Sequence, residues 1–472
     1  MQKKHDMLVI GLGPGGMALT AMGTAMGLNV LAIEKDKLGG ECLNTGCIPS
    51  KALLKIASVR RTIADLEKYA LEKIDIPLPI KPFKHVQDHL KYINEEKTAS
   101  MFSKAEIIID DGGAKFVDDK TVEVGGKRYT AKRIYIATGT KAFIPPIPGI
   151  EDVDYLTNEN LFLQEEVPKS MFVLGGGAIG CEMAQAFARL GTKVVMAHMD
   201  AHLMPQADVE AAEVLEKQIV RCGVEVHNSA TIQQIKKAGD QIVITTDKGE
   251  FTTEKLLVAA GRKPSLEGLD LDKAGIKYER GGIATDNYGR TNVKNIWAVG
   301  DCNGKALFSH AAMHQGMLAL MGSVMPFMRP LKFNFSKYLV PWSVFTDPEL
   351  AQVGKTEEEL KKQNIKYEAV KANYADYGRT ITDGKTTGFV KVLVSPFGKI
   401  YGVTAIGESA SEIIHEYILA MHKKIRLHDI MLMQHSFPTV ALLNKRVSEI
   451  WMMKKMENPR IQKIMQFLFR TF

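Results

Sequence analysis

Continuous apolar runs and glycine turns alternate with helical patterns over the first part of the chain. Residues 7–10 form an apolar run, a glycine turn and a helical stretch follow, and residues 30–34 form a second run ending in Glu34. The order of apolar run, glycine turn and helix returns at residues 171–184. Apolar runs bounded in this way are typical of parallel strands buried on both faces. The pattern predicts an α/β protein with two Rossmann-like dinucleotide-binding units.

Each glycine turn carries the spacing GxGxxG. Glycines at these positions permit a tight turn and let a pyrophosphate approach the N-terminus of the following helix. Glu34 ends the second strand of the first unit, where it can accept hydrogen bonds from ribose hydroxyls. The two sets are Gly11, Gly13 and Gly16, and then Gly175, Gly177 and Gly180. Two such units predict two bound dinucleotides.

The rest of the sequence predicts further strands, and from about residue 338 it predicts a part without nucleotide-binding units. Residues 133–139 predict a buried strand that ends in Thr138 and Gly139, and the proline-rich residues 143–149 predict an extended linker. From about residue 338 no nucleotide motif appears. This last part predicts strands at 344–354, 388–394 and 400–406, and a helix at 411–422.

Cys42 and Cys47 lie just after the first unit, at the start of an apolar run (52–54) that predicts a helix. Gly46 and Pro49 permit the distorted first turn that would bring the two thiols together. The positive end of the helix dipole lowers the pKa of thiols placed there. The residues alone leave open that these are two unrelated buried cysteines.

Residues 39–51 read GGECLNTGCIPSK, and this segment resembles the pyridine nucleotide-disulfide oxidoreductases. The resemblance covers nearly the whole chain and implies FAD in the first unit and NADPH or NADH in the second. It implies a redox-active Cys42–Cys47 disulfide, with Cys47 as the charge-transfer thiolate against the flavin and Cys42 as the outer thiol. It also implies an ion pair of Lys51 and Glu182 beside flavin N5, where two exposed helix charges are the alternative.

The same resemblance assigns the remaining cofactor residues and the domains. It implies a C-terminal α+β dimerisation domain and a homodimer. The FAD set is Gly11, Gly13, Gly16, Glu34, Lys51, Thr138, Gly139, Asp301 and His310, and the NAD(P) set is Gly175, Gly177, Gly180, His198 and Gly261. The predicted boundaries are 1–150 for the first part of the FAD-binding domain, 151–268 for the NAD(P)-binding domain, 269–337 for the FAD-binding return segment, 338–447 for the dimerisation domain and 448–472 for a basic tail.

His198 stands where an NAD site normally carries an acid at the end of its second strand. Loss of that acid removes the repulsion that excludes the 2′-phosphate of NADP. No arginine pair follows to bind that phosphate. We therefore expect use of both nicotinamides or a preference for NADPH.

The family carries a His-Pro-Thr-x-x-Glu segment, whose His is the acid-base partner of the outer thiol and whose Glu orients it. Here Phe437 occupies the His position and Leu442 the Glu position. His435 is a candidate substitute, because residues i and i+2 of an extended segment share a face. Mercuric reductases also use an aromatic residue at the His position, but this sequence lacks their C-terminal cysteine pair and N-terminal metal-binding domain.

Composition adds limits to this picture. The chain has 472 residues, a net charge of +7 and five cysteines, of which Cys181, Cys222 and Cys302 are expected to be structural. The N-terminus enters a strand at once and no apolar run of about 18 residues appears, so neither a signal peptide nor a membrane span is expected. The expected location is cytoplasmic, with no resident metal and no nucleic-acid partner.

The positive charge is concentrated near the C-terminus. Residues 421–472 hold ten Lys and Arg against three acids. Residues 448–472 predict a basic amphipathic helix that Pro459 breaks or restarts. Such a helix can lie peripherally on an anionic membrane, or pack on its own dimer with its basic residues solvated.

These observations together predict an FAD-dependent oxidoreductase that passes hydride from NAD(P)H through flavin to the Cys42–Cys47 disulfide. The acceptor is expected to be a small-molecule or small-protein disulfide, a dithiol-type compound or a metal. Two alternatives remain open. One is a quinone or oxygen reductase that uses flavin alone, and the other is a redox-sensing flavoprotein without enzymatic activity.

Overall fold

The computed structural model of the protein describes residues 4–93, 98, 102–110 and 112–472. Within these ranges the strands form three larger sheets of seven, four and five strands, together with a three-stranded sheet and two strand pairs. Helices pack beside the sheets. The predicted α/β class and the predicted C-terminal α+β dimerisation domain are confirmed, and the C-terminal sheet is antiparallel.

The first nucleotide-binding unit is built on the seven-stranded sheet. Its elements are β1 (Lys4–Ile10), α1 (Pro14–Ala25), β2 (Val30–Glu34), α2 (Gly40–Asn44), α3 (Cys47–Ala64), α4 (Pro82–Lys91), β3 (Glu106–Ile109), β4 (Lys115–Phe116), β5 (Thr121–Val124), β6 (Lys127–Ile136) and β7 (Thr140–Ala142). The sheet order is β3-β2-β1-β6-β5-β4. Leu8 and Ile10 enter the core on one face, and Met7 and Val9 enter the core on the other.

The second unit follows with its own parallel sheet. Its elements are β8 (Ser170–Leu174), α5 (Ala178–Leu190), β9 (Lys193–Ala197), α6 (Val209–Arg221), β10 (Glu225–His227), β11 (Ile232–Ala238), β12 (Gln241–Thr246), β13 (Gly249–Thr253), β14 (Lys255–Val258) and β15 (Arg262–Pro264). The parallel order is β10-β9-β8-β14, and β11, β12 and β13 form an antiparallel sheet. β15 pairs with β7 of the first unit.

A return segment brings the chain back to the first sheet. Its elements are β16 (Tyr278–Glu279), β17 (Gly282–Ile283), β18 (Ile296–Ala298), α7 (Ser309–Val324) and α8 (Arg329–Lys332). β18 pairs in parallel with β6. The first unit therefore closes only after the second one has been inserted into it.

The C-terminal part is an antiparallel sheet covered by helices. Its elements are β19 (Trp342–Val344), β20 (Glu349–Gly354), α9 (Glu357–Lys362), β21 (Glu368–Asn373), α10 (Gly378–Thr382), β22 (Phe389–Val394), β23 (Ile400–Gly407), α11 (Ala410–Lys423), α12 (Leu427–Leu432), α13 (Leu442–Met456) and α14 (Pro459–Thr471). The sheet order is β19-β20-β23-β22-β21. The four predicted domain boundaries remain predictions.

A buried ion cluster fixes the C-terminal part to the second unit. Lys391 on β22 is buried, and its Nζ lies 2.6 Å from Asp208 Oδ2 and 2.9 Å from Glu357 Oε1. Asp208 precedes α6, whereas Glu357 begins α9. Removing a partner from such a cluster would leave a buried charge uncompensated.

Two predicted strands differ in extent from those observed. The strand expected at 133–139 is β6, which ends at Ile136, so Thr138 lies in the following loop. The single strand expected at 344–354 is wrong, because a turn at Pro348 separates β19 from β20. Pro has no N–H to donate to a sheet, and Asp347 before it turns its side chain to Arg189.

The C-terminal tail (448–472) and the segment that carries the two cysteines (39–51, the redox segment) each consist of two helices where one was considered. Pro459 restarts the tail helix, as the sequence allowed. The two cysteines do not share one distorted helix, because Thr45 and Gly46 separate α2 from α3. No helix in the described ranges is long and apolar enough to cross a bilayer.

Candidate active site

A cleft of about 530 Å³ lies where the first glycine turn meets the redox segment and the turn after β18. Cys42 and Ser309 lie in its wall. The sequence-predicted FAD residues that line it are Gly11, Gly13, Glu34, Thr138, Gly139 and Asp301. The fold thus brings together residues that are up to 290 positions apart in the sequence.

The first glycine turn fits a pyrophosphate. A Cβ at Gly16 would lie 1.8 Å from the carbonyl oxygen of Gly11, so α1 can pack this close to β1 only with glycine there. Gly13 faces open space, with no described atom within 4 Å of the place where its Cβ would be. No side chain among the described residues caps α1. Its first amides are therefore free to bind an anion.

Glu34 is held in position at the end of β2. Its Oε2 accepts a hydrogen bond from the amide of Leu12 at 2.6 Å, and its Oε1 accepts one from the amide of Asp36 at 3.0 Å. The carboxylate is buried but lines the cleft. This arrangement suits recognition of a ribose next to the pyrophosphate, and the cleft as a whole fits FAD.

Asp301 belongs to a network that the sequence did not reveal. Burial raises the pKa of Asp301, and the neighbouring Arg262 opposes that rise. Arg262 donates from Nε to the hydroxyl of Thr140 at 2.7 Å and from Nη2 to Glu41. Glu41 immediately precedes Cys42. The network therefore connects the predicted FAD-binding Asp301 to the redox segment.

Cys42 and Cys47 form a hydrogen-bonded thiol pair. Cys47 is the first residue of α3, and Cys42 lies in α2. A hydrogen bond from Cys42 lowers the pKa of Cys47 to about 6, whereas the same bond and burial raise the pKa of Cys42. The pair therefore shares one proton, which stays on Cys42 while Cys47 carries the negative charge.

Ser309 supports Cys47 and was missed by the sequence reasoning. Its Oγ lies 3.3 Å from Cys47 Sγ, and this bond also lowers the pKa of the thiol. Ser309 begins α7, so the positive end of that helix faces the same sulfur. The two residues are 262 positions apart. A serine just before His310 gave no signal, because only the fold brings it to the thiols.

Lys51 and Glu182 form the expected ion pair. Lys51 Nζ lies 2.9 Å and 3.1 Å from the two carboxylate oxygens of Glu182. The ammonium also lies 4.4 Å from the centre of the Phe345 ring. The amide of Phe345 donates to Glu182 at 3.0 Å. Glu182 is buried, so the alternative of two exposed charges is wrong.

His310 does not line the cleft. Its Nε2 lies 2.7 Å from the carbonyl oxygen of Pro341, and its ring stacks on Phe308. Burial lowers the pKa of His310, so the ring is neutral at neutral pH. Ser309 and Ala312 on the same helix line the cleft instead. The predicted contact of His310 with FAD remains a prediction.

The second glycine turn repeats the geometry of the first. A Cβ at Gly180 would lie 2.0 Å from the carbonyl oxygen of Gly175. Gly177 faces open space, and so does Gly261, whose φ is +129°. An open cradle at the start of α5 fits the pyrophosphate of a nicotinamide dinucleotide.

His198 lies beneath this turn. A Cβ at Gly176 would lie 2.7 Å from Cγ of the imidazole, so the ring packs directly against the glycine. Its Nε2 lies 2.6 Å from Asn228 Oδ1, and its Nδ1 lies 4.0 Å from Asp200 Oδ2. The ring is buried, whereas Asp200 is exposed. Asp200, the first acid after β9, therefore lies in solvent and not at the end of the strand, where an NAD site carries its acid.

Residues 435–442 contain the replaced His and Glu positions of the family's acid-base dyad, and this segment has an exposed part and a buried part. Phe437 is 80% exposed in the single chain, and Leu442 begins α13. His435 turns inward, with Nε2 3.1 Å from Glu416 Oε1. Asn444 donates to the same carboxylate at 2.8 Å. His435 is thus held inside its own subunit, away from the exposed position that Phe437 occupies.

The remaining cysteines do not line the cleft. Cys181 and Cys302 are fully buried, and burial raises the pKa of each thiol. Cys222 ends α6 and is partly exposed. In the described ranges, no group of three or more His, Cys, Asp or Glu is arranged to hold a metal ion.

Comparison with known proteins agrees with this geometry. Residues 5–316 match the family described as pyridine nucleotide-disulphide oxidoreductase, and residues 340–446 match its dimerisation domain. The dihydrolipoyl dehydrogenase of Thermus scotoductus is 33% identical over 93% of this chain and 95% of that protein. The mercuric reductase of Bacillus cereus is 29% identical over 93% of this chain and 70% of that protein.

A solved structure shares the fold over the whole length. The HOCl-induced flavoprotein disulfide reductase RclA from Escherichia coli has a TM-score of 0.83 and 24% sequence identity, over 95% of this chain and 99% of that chain. The match to a dimerisation domain supports a homodimer.

We expect Ser309→Ala to raise the apparent pKa of Cys47 by about one pH unit, because a charge-assisted hydrogen bond to the thiolate is lost. The measurement is the pH dependence of alkylation of the reduced protein by iodoacetamide. Ser309→Thr keeps the hydroxyl and should keep the wild-type profile. An unchanged profile in Ser309→Ala would show that the hydroxyl does not stabilise the thiolate.

We expect His198→Glu to lower kcat/KM for NADPH by about tenfold while changing that for NADH much less, because the new carboxylate repels the 2′-phosphate. His428→Glu, in the C-terminal part, controls for the added charge. Steady-state kinetics with both nicotinamides provide the measurement. A wild-type preference for NADH above about tenfold would contradict the expected use of NADPH.

Proposed function

The chain belongs to the pyridine nucleotide-disulphide oxidoreductase family, and from that premise we propose that its Cys42–Cys47 pair reduces an acceptor that needs no histidine general acid. Such acceptors are soft metal ions that bind thiolates, and disulfides that release acidic thiols. The family uses FAD and NAD(P)H. The chain is accordingly an NAD(P)H-dependent flavoprotein oxidoreductase, and the acceptor and the residue roles are the proposal.

The first cleft supplies the FAD contacts of this proposal. Gly13 and the first amides of α1 would bind the pyrophosphate, Glu34 a ribose, and Asp301 the ribityl and phosphate region. FAD, when bound, takes electrons from NAD(P)H and supplies an electron pair to sulfur. Lys51, held by Glu182, would place a positive charge beside the reacting end of the flavin.

The single observation that carries the proposal is that Phe437 and Leu442 occupy the family's His and Glu positions, so the thiol pair lacks its usual proton acceptor. The hydrogen bond between the two thiols lowers the pKa of Cys47 to about 6 and raises that of Cys42. Cys47 is the thiolate, and Cys42 keeps the proton. This suits Cys47 for the flavin side of the pair. Cys42 must lose its proton before it can attack an acceptor, because the thiolate is the nucleophile.

The missing dyad determines where that proton can go. In the family a His takes it, but Phe437 and Leu442 occupy the His and Glu positions and neither side chain accepts a proton. His435 is already bound to Glu416. Water is then the remaining proton carrier, so acceptors that require proton transfer should react slowly. General acid-base assistance of this kind is worth about 10² to 10⁴ in rate.

The exchange step balances without a further reagent. The Cys42 thiolate attacks one acceptor sulfur, forms a mixed disulfide and releases the first thiolate. Cys47 then attacks Cys42, restores the Cys42–Cys47 disulfide and releases the second thiolate. Two electrons reach the acceptor, and both released thiolates take protons from water. Acidic leaving thiols depart faster, so they suit a site without a proton donor.

The names of the relatives suggest two candidate acceptors. Mercuric reductase names a metal ion, and dihydrolipoyl dehydrogenase names a dithiol. Hg(II) binds thiolates directly and needs no proton on the sulfur. A lipoyl dithiol is a poor leaving group by comparison, because its thiols are weakly acidic. The altered dyad therefore favours the metal ion or an activated disulfide.

We expect Cys42→Ser to abolish turnover of Hg(II) and of 5,5′-dithiobis(2-nitrobenzoate), whereas reduction of a quinone by NAD(P)H persists. Cys222→Ser is the matched control and should leave all three rates unchanged, because this thiol lies outside the cleft. Loss of quinone reduction alone would contradict the proposed role of Cys42. A wild-type enzyme that reduces quinones but no disulfide or metal would favour the flavin-only alternative, and negligible turnover throughout would favour redox sensing.

We expect the double substitution Phe437→His and Leu442→Glu to raise lipoamide turnover by about tenfold or more, because it restores a proton acceptor and its orienting carboxylate. Either substitution alone should give a smaller gain. Phe397→His, at another exposed phenylalanine, controls for an added surface histidine. If the wild type reduced lipoamide as fast as it reduces 5,5′-dithiobis(2-nitrobenzoate), the proposal would be contradicted.

A further inference from the structure

The last helix of the chain differs from the one before it. α13 is anchored in the C-terminal core through Leu443, Val447 and Trp451. α14 begins after Asn458, whose side chain accepts from the amide of Arg460 at 3.0 Å. Not one residue of α14 is buried. The helix is therefore well formed but lies on the surface of the single chain.

Apolar side chains cover one face of α14. At about 100° per residue, five of them fall within about 100° of the helix circumference. They are Ile461, Ile464, Met465, Leu468 and Phe472, of which the last four are between 42% and 100% exposed. Phe469 lies at the edge of this face and is 89% exposed. An exposed cluster of this size marks a surface that binds something.

The opposite face is basic. Lys463 and Arg470 lie within about 20° of each other on the side away from these five apolar residues, and the exposed Phe467 lies about 40° from Lys463. Residues 458–472 contain three basic residues and no acid. An apolar face opposite a face that carries basic residues and no acid is the pattern of helices that lie in the plane of an anionic bilayer.

The family comparison points away from a second copy as the occupant. The part of the chain that matches the dimerisation domain ends at residue 446, before α14 begins. Basic residues that remain solvated would give no advantage to a helix packed between copies. An anionic surface accounts for both faces at once, since lipid tails take up the apolar side chains and headgroups attract Lys463 and Arg470.

We propose that α14 is an interfacial helix that binds the enzyme to an anionic lipid bilayer. Its length of about 20 Å suits a helix lying flat, and it is too short to span the hydrocarbon core. The apolar residues enter the headgroup region, while Lys463 and Arg470 stay at its surface. This inference is independent of which acceptor the enzyme reduces, because the thiol pair contributes nothing to it.

The test is flotation of the full-length flavoprotein with vesicles of phosphatidylcholine, alone or mixed with phosphatidylglycerol. The wild type should bind the mixed vesicles and leave the neutral ones largely unbound. Ile464→Gln with Leu468→Gln should weaken binding at least about tenfold, because the apolar face is interrupted. Leu163→Gln, at an equally exposed leucine outside the tail, should bind as the wild type does.

A second pair of measurements separates charge and self-association from lipid binding. Lys463→Gln with Arg470→Gln should weaken binding roughly 25-fold, about fivefold per charge, and added salt should have a similar effect. In analytical ultracentrifugation the glutamine variants should sediment as the wild type does. Absence of wild-type binding to anionic vesicles would overturn the inference. A shift of the Ile464→Gln, Leu468→Gln protein to monomer would also overturn it, because the apolar face would then lie between two copies.

Discussion

One carboxylate, that of Glu182, holds together three parts of this protein: the first nucleotide unit, the second nucleotide unit and the C-terminal part. Glu182 lies in the second turn of α5 in the second nucleotide unit. It pairs with Lys51 near the thiols of the first unit and accepts a hydrogen bond from the amide of Phe345 in the C-terminal part. The Glu182 carboxylate is buried, whereas Lys51 is partly exposed. Loss of either residue would leave the charge of its partner uncompensated. The redox helix, the nicotinamide unit and the C-terminal sheet are thereby fixed relative to one another.

The thiol pair depends on this frame and on charges supplied from elsewhere. Lys51 lies close enough to lower the pKa of Cys47, and Ser309 and the N-terminus of α7 favour the same sulfur. Ser309 and Lys51 act on Cys42 as well, but its bond to Cys47 and its burial outweigh them and raise its pKa, so Cys42 keeps the proton of the pair. The asymmetry suits electron entry at Cys47. Under the proposed function electrons leave through Cys42, and Cys42 then needs a proton acceptor that Phe437 and Leu442, at the family's His and Glu positions, do not supply.

The ion pair of Glu41 and Arg262 joins the first and second units at the other end of the redox segment, before Cys42. Arg262 begins β15, the last strand of the second unit, where it donates to Thr140 and lies near Asp301 at the first cleft. Burial lowers the pKa of its guanidinium, and the nearby Asp301 opposes that shift. The two units are thus connected on both sides of Cys42 by charge pairs rather than by apolar packing alone.

The sequence by itself determined the features that depend on local spacing. Glycines at 11, 13 and 16 fixed a turn that only glycine permits, and the apolar run at residues 7–10 fixed a strand buried on both faces. The spacing of Cys42, Cys47 and Lys51 identified the redox segment because it matches a specific family motif. Only the tertiary structure decided the support of Cys47 by Ser309, the contact of Arg262 with Glu41, the inward position of His435 and the placing of His310 beside Pro341. These contacts join residues that lie from 19 to 262 positions apart, and the order of residues along the chain carries no signal for a contact that forms only when distant elements pack.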